Sequence, residues 1–254
     1  MSRVTDIISN VRTSIADKDK NRWSDDDLML FLNRGIEEIC QIAKAYKIKT
    51  YLAIQSGIST YDLRDTFYTF TRIEYNDIEV DKKTTKELFR LDSSWKTAVG
   101  SDIKFITFDN LPIGVFRIYP IIEDTISPIT QNSLYGGLID ITTSDDVINA
   151  ANLEDLPTSA TKYLTCYGLG KHTKLTITSI DEDFKLDSIF DNKLVDFITG
   201  KCFETDSDSF NLNKANGLIT NFYNFIREQA KVIKKSHNTL HYDEVPYIGF
   251  PYDN

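Results

Sequence analysis

The sequence predicts an α+β protein: a four-helix unit built from both chain ends, with an antiparallel β domain inserted between its halves. Apolar residues recur at helical spacing near both termini, the middle of the chain switches to short β-branched and aromatic runs between turn residues, and helical spacing returns only in the last third. The boundaries that follow are a helical bundle from residues 1–48 and 184–237, an inserted β domain over 49–183, and an extended aromatic C-terminal tail over 238–254.

Val4, Ile7, Ile8, Val11 and Ile15 line one face of a first helix, over about residues 2–17. Ser24 followed by Asp25, Asp26 and Asp27 is the chemistry of a helix start, a capping hydroxyl with carboxylates in the first turn. The second helix carries Leu28, Phe31, Leu32, Ile36, Ile39, Ile42, Ala43 and Tyr46 on one face, with Trp23 placed to staple its start. Short connection and matched faces predict an antiparallel helical hairpin.

Strands are predicted at Lys49–Ile54, Ser59–Leu63, Thr69–Asn76, Ile103–Phe108, Val115–Tyr119, Leu138–Thr142 and Lys174–Ile180. Asp109-Asn110-Leu111-Pro112-Ile113-Gly114 supplies a hairpin turn, and the Pro, Ser, Asn and Asp of 123–157 read as a long loop excursion. Leu194, Val195, Phe197, Ile198 and Phe203 predict a third helix. Leu218, Ile219, Phe222, Phe225, Ile226, Ala230 and Ile233 predict a long fourth one over about Phe210 to Ser236.

Composition narrows the function. In 254 residues, 41% are hydrophobic, 26% charged and 12% aromatic, as in a globular protein, and the net charge of -9 opposes a duplex-DNA grip by phosphate neutralisation. The N-terminus lacks the apolar core of a signal peptide and no stretch is apolar enough to span a bilayer, so cytoplasmic synthesis and no membrane partner are expected. Cys40, Cys166 and Cys202 are widely spaced, as expected of reduced, buried thiols.

Motifs that carry chemistry fall short of their patterns. Gly168-Leu169-Gly170-Lys171-His172-Thr173 has Thr165 and His172 where a phosphate loop needs Gly and Ser or Thr, and reads as a turn leading into a strand. Asp17, Asp19 and Asn21 open like a calcium loop, but Arg22 and Leu28 stand where Gly and Glu belong, so an interhelical loop is expected. Asp206 and Asp208 fail in the same way, with Phe210 at the third ligand position. His237 and His241, four apart, need a continuing helix to share a metal, and the expectation is that the helix ends first. Asp181-Glu182-Asp183 reads as solvated surface. No catalytic residue, metal or cofactor is expected.

Two features instead point to partners. Tyr242, Val245, Tyr247, Ile248, Phe250 and Tyr252, with Pro246 and Pro251, form an apolar tail beyond the last helix, a composition suited to docking on a neighbouring subunit or on the chain's own β domain. Lys231, Lys234 and Lys235 sit in that helix's last turns, where cations suit the dipole, and are candidate contacts to another subunit.

Arg22-Trp23-Ser24-Asp25-Asp26-Asp27-Leu28, followed by Phe31-Leu32-Asn33 and Glu37-Glu38-Ile39, resembles the signature of head-to-tail adaptor (connector) proteins of short-tailed double-stranded DNA bacteriophages. Phe116-Arg117-Ile118-Tyr119-Pro120 is similar to a strand of that family, Asp191-Asn192-Lys193-Leu194-Val195-Asp196-Phe197 to a helix start, and the long helix with Phe222 and Tyr223 completes the order. The resemblance implies a structural virion protein at the head–tail interface. It implies a homo-oligomeric ring, a dodecamer, beneath the portal and above the tail nozzle, extending the channel through which DNA passes without specific binding. It also implies the helical unit around that channel, the β domain outward and C-terminal segments reaching the portal. The loop over 123–157 and the aromatic tail depart from the family, which leaves the faces meeting portal and nozzle open. Independently, a net charge of -9 repeated around a ring disfavours adhesion of a passing polyanion.

The alternatives are another phage tail or ring component that does not contact the portal, and a carbohydrate-binding or hydrolase β domain in which an exposed Trp95 or tyrosines stack on sugars.

Overall fold

A computed structural model describes residues 2–122, 141–142, 149–150, 162–205 and 212–238. The protein is α+β, with five α-helices and twelve strands among those residues. By the density of internal contacts the chain divides into two units, one of Met1–Tyr46 with His172–Asn254 and the other of Lys47–Lys171.

In the first unit, α1 spans Arg3–Ser14 and α2 spans Asp25–Glu38. Val4, Ile7, Ile8 and Val11 are buried, as their spacing requires, and the helix ends where Ala16 turns left-handed at φ 55°. α2 begins with a capping box: the Ser24 hydroxyl accepts from the Asp27 N–H, and the Asp27 carboxylate accepts from the Ser24 N–H at 3.1 Å. The Trp23 ring meets Phe31 edge-on at 5.8 Å. The second helix does not run as one regular α-helix to Tyr46. Its last turn, Ile39–Ala43, widens into a π-helix that buries Ile39, Cys40 and Ala43, and Lys44 stops it in the left-handed region at φ 55°.

α4 spans Asp191–Thr205 and α5 spans Leu212–Asn238. α4 packs against α1, α2 and α5, and α5 packs also against the π-helical turn. Two glycines set the closest approaches. A Cβ at Gly35 of α2 would stand 2.8 Å from Leu194 Cδ2 and 3.0 Å from Phe197 Cδ1, and one at Gly200 of α4 would stand 2.8 Å from Ile219 Cγ1. Phe197 and Phe222 bring their ring centroids to 4.6 Å where α4 and α5 cross.

Lys174–Ile180 is not a strand. Asn33 of α2 takes both backbone groups of Leu175, accepting its N–H at 2.8 Å and donating to its carbonyl at 2.9 Å, so a side chain occupies the place of a neighbouring strand. Residues 172–183 accordingly group with the terminal helices.

The second unit holds two five-stranded sheets and a two-stranded one. In the first sheet β1 (Lys47–Ala53), β12 (Tyr163–Gly170) and β3 (Phe67–Tyr75) are antiparallel neighbours, flanked by β11 (Asn149–Ala150) and β4 (Ile78–Glu79). The second orders β10 (Ile141–Thr142), β2 (Thr60–Asp62), β8 (Val115–Tyr119), β7 (Phe105–Thr107) and β5 (Asp81–Lys82). Long pairings are antiparallel, whereas the two-residue pairings β10–β2 and β5–β7, and β6 (Val99–Gly100) with β9 (Ile121–Ile122), are parallel. Tyr61, Ile106, Phe116 and Ile118 from one sheet share a core with Leu52, Phe67, Ile73, Leu164 and Cys166 from the other. The excursion over 123–157 contains β10 and β11, and its other residues lie outside the described ones.

The Gly168 segment ends the central strand β12; it is not a turn leading into a strand. A Cβ at Gly168 would overlap the Thr69 carbonyl oxygen and stand 2.8 Å from Phe67 Cδ1, and the β12–β3 register shifts on either side of Leu169. Only glycine permits this approach. Gly168→Ala is expected to destabilise the protein by about 2–3 kcal/mol, the range of overpacked core sites, and a denaturant midpoint close to wild type would disprove that account.

Candidate functional site

Arg12 and Asp17, with Trp23 and Asp25 of the signature, assemble a buried ionic knot at the α1–α2 connection. Arg12, on the inner face of α1, donates to Asp17 Oδ2 at 3.1 Å, to the Trp23 carbonyl at 3.1 Å and to Asp25 Oδ1 at 2.5 Å. Asp17 also accepts the backbone N–H groups of Asn21, Arg22 and Trp23 at 2.9–3.1 Å. The side chains of Arg12 and Asp17 are 6% and 3% exposed, so this pairing lies out of water. Burial alone would raise the Asp17 pKa, but the three N–H donors and the Arg12 charge outweigh it and hold the carboxyl below its ordinary 3.8. Asp25 is held low by its hydrogen bonds to Lys20 and Arg12.

This geometry explains why the loop only mimics a calcium site. A cation needs oxygen acceptors facing inward, and here N–H donors and a guanidinium converge on the carboxylate. The knot is a structural staple that fixes where α2 begins.

Other signature positions are also struts. Leu28 and Leu32 are fully buried, and Asn33 anchors Leu175. Asp191, at the start of α4, accepts from Arg3 at 2.6 and 3.1 Å, while Arg3 also donates to the Phe184 and Leu186 carbonyls and lies 4.2 Å from the Phe184 ring. In β8, Phe116 is fully buried, and Arg117 donates to the Thr60 hydroxyl at 3.1 Å with its guanidinium 5.3 Å from the Trp95 ring centroid.

Trp95 is therefore not an exposed sugar platform: it is 4% exposed and its ring is packed under Arg117. Cys40, Cys166 and Cys202 are buried, and burial pushes the Cys40 thiol up to about 12 and raises that of Cys166. The His172 ring lies tilted against Tyr46 and edge-on to Phe184, and its Nε2 takes the Lys185 N–H at 3.2 Å. Burial lowers its pKa, so the imidazole is held neutral. Among the described residues no group of three or more His, Cys, Asp or Glu converges as a metal site. The last helix runs through His237 to Asn238, and Thr239 and His241, on which the expectation that it ends before His241 turns, lie outside the described residues.

The partner-facing candidates divide sharply. Lys231 and Lys234 are exposed on the last turns of α5, beside Val232 at 57% exposure. The Lys44 ammonium is depressed by burial and then by the charge of Lys234, so cations from two elements converge at that end of the helix. The Lys235 side chain, Asp206, Asp208 and the tail residues Tyr242, Val245, Tyr247, Ile248, Phe250 and Tyr252 lie outside the described residues.

Sequence reasoning singled out neither Arg3 nor Arg12, read Asp17 only as part of an incomplete calcium loop, and met Asn33 and Arg117 only within the motifs of the resemblance. A signal existed for Arg12: it lies four residues after Ile8 and directly beside Val11, a charge inside an apolar stripe, with several carboxylates close behind. No local pattern says what Asn33 or Arg117 bonds, because their partners Leu175 and Thr60 are distant in sequence.

No helix is long and apolar enough to cross a membrane among the described residues. No curated protein matches the chain significantly. The family model described as SU10 adaptor protein matches residues 2–239, a span that takes in all five helices and all twelve strands. With a match over residues 2–239, the chain belongs to the SU10 adaptor protein family of phage head-to-tail adaptors.

Proposed function

We propose that the protein is a structural virion component that forms a homo-oligomeric ring between the portal and the tail nozzle and continues the DNA channel. The observation that carries this reading is the family match over residues 2–239. The helices from the two chain ends act as one unit, and the C-terminal segment is the docking element. Lys231, Lys234 and Lys235 make subunit or portal contacts.

The residues themselves support a mechanical role. Arg3, Arg12, Asp17, Arg117 and Asn33 all spend hydrogen bonds on internal anchoring. An excess of 38 acidic over 29 basic residues keeps a repeated lumen from holding DNA by counterion release. No step of chemistry is required of the chain.

The test is mass measurement with and without portal rings. Native mass spectrometry or light scattering is expected to show a multiple of the 29.1 kDa chain on the portal, with a neutral or acidic lumen in the assembled ring. A chain that stays single beside portal rings, or a lumen lined by lysines, would overturn the proposal.

A further inference from the structure

Two arginines are buried among the described residues, and they are matched differently. Arg12 has the carboxylates of Asp17 and Asp25 against its guanidinium. Arg117, 7% exposed in β8, donates through Nε to the Thr60 hydroxyl and has the Trp95 ring beside it, and among the described residues no aspartate or glutamate pairs with it. Burial lowers its pKa, and no neighbouring charge opposes that shift. An arginine does not release its proton in a protein, so a guanidinium held out of water draws an anion instead.

The sheet decides what reaches it. Register sets Arg117 between Thr60 of β2 and Thr107 of β7, on the face opposite Tyr61, Ile106, Phe116 and Ile118 of the core. Both threonine hydroxyls are committed, Thr60 to Arg117 Nε and Thr107 to the Asp109 N–H at 3.3 Å. Trp95 comes from the segment after α3 (Thr85–Leu91), and Asp92 of the same segment is engaged by Ser94 and the Tyr119 hydroxyl. The two Nη groups therefore keep their donors. Among the described residues the side-chain polar atoms both sealed from solvent and unpaired are Arg12 Nε, Thr165 Oγ1 and Thr199 Oγ1, so the Arg117 Nη atoms open to the outside.

We propose that Arg117 is the receptor of a carboxylate-binding site, its Nη1 and Nη2 groups holding the anion beside Thr60, Thr107 and Trp95. A planar monoanion matches two parallel N–H donors on one cation, whereas a phosphate dianion brings a second charge to desolvate with nothing to balance it. The carboxylate belongs either to an aspartate or glutamate of an adjoining chain or to a small free acid, and the chemistry at Arg117 is the same for both. The site goes beyond the adaptor reading and does not depend on it.

Thermal unfolding of the full chain in sodium formate and in sodium chloride at matched ionic strength tests it. A ligand bound only by the fold raises the folded-to-unfolded ratio roughly elevenfold at ten times its half-saturating concentration, a melting shift of about 3–6 °C for a chain of this size. Wild type is expected to show that saturable rise in formate and not in chloride. Arg117→Met is expected to lose it, and Arg117→Lys, which keeps the charge without the fork, to retain less than about half. Should Arg117→Met not fold, wild type carrying isotope-labelled arginine reads the same event by NMR: the guanidinium resonance that Arg117→Lys removes is expected to move saturably with formate. Equal melting in the two salts, an unchanged formate response in Arg117→Met, or an unmoved Arg117 resonance would each overturn the proposal, leaving water as the partner of the Nη groups. The source is read on portal rings: a formate response that vanishes there assigns the carboxylate to an adjoining chain, and one that persists assigns it to a free acid.

Discussion

Asp17→Ala is expected to lower the unfolding free energy by about 3–5 kcal/mol, the cost of breaking one side of a buried, hydrogen-bonded ion pair. The substitution leaves the Arg12 guanidinium, 6% exposed, without its inner carboxylate, and it orphans three N–H groups that Asp17 holds between Asn21 and Trp23. Asp25 still pairs with Arg12, which keeps the loss from being larger. Urea unfolding followed by circular dichroism measures it, and a midpoint shift worth under about 1 kcal/mol, the scale of a surface pair, would contradict the staple.

The same knot sets an acid limit. Both carboxyls are held below their ordinary 3.8 in the fold, Asp17 by backbone donors and Arg12 against the opposing effect of burial, Asp25 by Lys20 and Arg12. A depressed carboxyl contributes stability that is complete above the unfolded value and is lost as pH falls through the folded one. Wild type should therefore lose stability below about pH 4 more steeply than Asp17→Asn, whose side chain has no proton to take up there. Melting temperatures across pH 3–6 give the comparison, and parallel curves for the two proteins would exclude the knot as the source.

Removing residues 240–254 is expected to leave the helical and β units folded and to abolish assembly. The buried anchors of α5, Ala215, Phe222 and Ile226, lie well upstream of the cut, so the melting temperature should stay near wild type. Docking should weaken at least about a hundredfold, because truncating one buried aromatic anchor at an interface costs on the order of 2 kcal/mol and the tail carries several. Co-sedimentation with portal rings reads the effect. Full docking by the shortened chain would remove the tail from the mechanism, and loss of the melting transition would show instead that the tail belongs to the fold.

Element type was legible wherever a pattern repeated. The stripe of Val4, Ile7, Ile8 and Val11 and the Ser24–Asp27 box each place a helix by local chemistry, and both are found as buried face and cap. β8 appears over the five residues its pattern marks. Short elements were not legible. α3, with a full capping box but only seven residues, is too short for periodicity to show, and two-residue strands such as β6 and β9 exist only through their partners. Lys174–Ile180 has strand composition, yet Asn33 took its backbone groups.

The sequence by itself determined the mixed fold class, the places where helices begin, and the family to which the chain belongs, because these depend on residues near one another or on a conserved order of short motifs. Tertiary structure decided what the individual motifs do: that Gly168 lies against a strand backbone, that Trp95 and Arg117 are inside, and that an apparent calcium loop is an arginine-bound staple. The physical reason is partner choice. A side chain's role follows from the groups that surround it, and Arg3, Asn33 and Arg117 find Asp191, Leu175 and Thr60 at 188, 142 and 57 positions away, which no local pattern encodes.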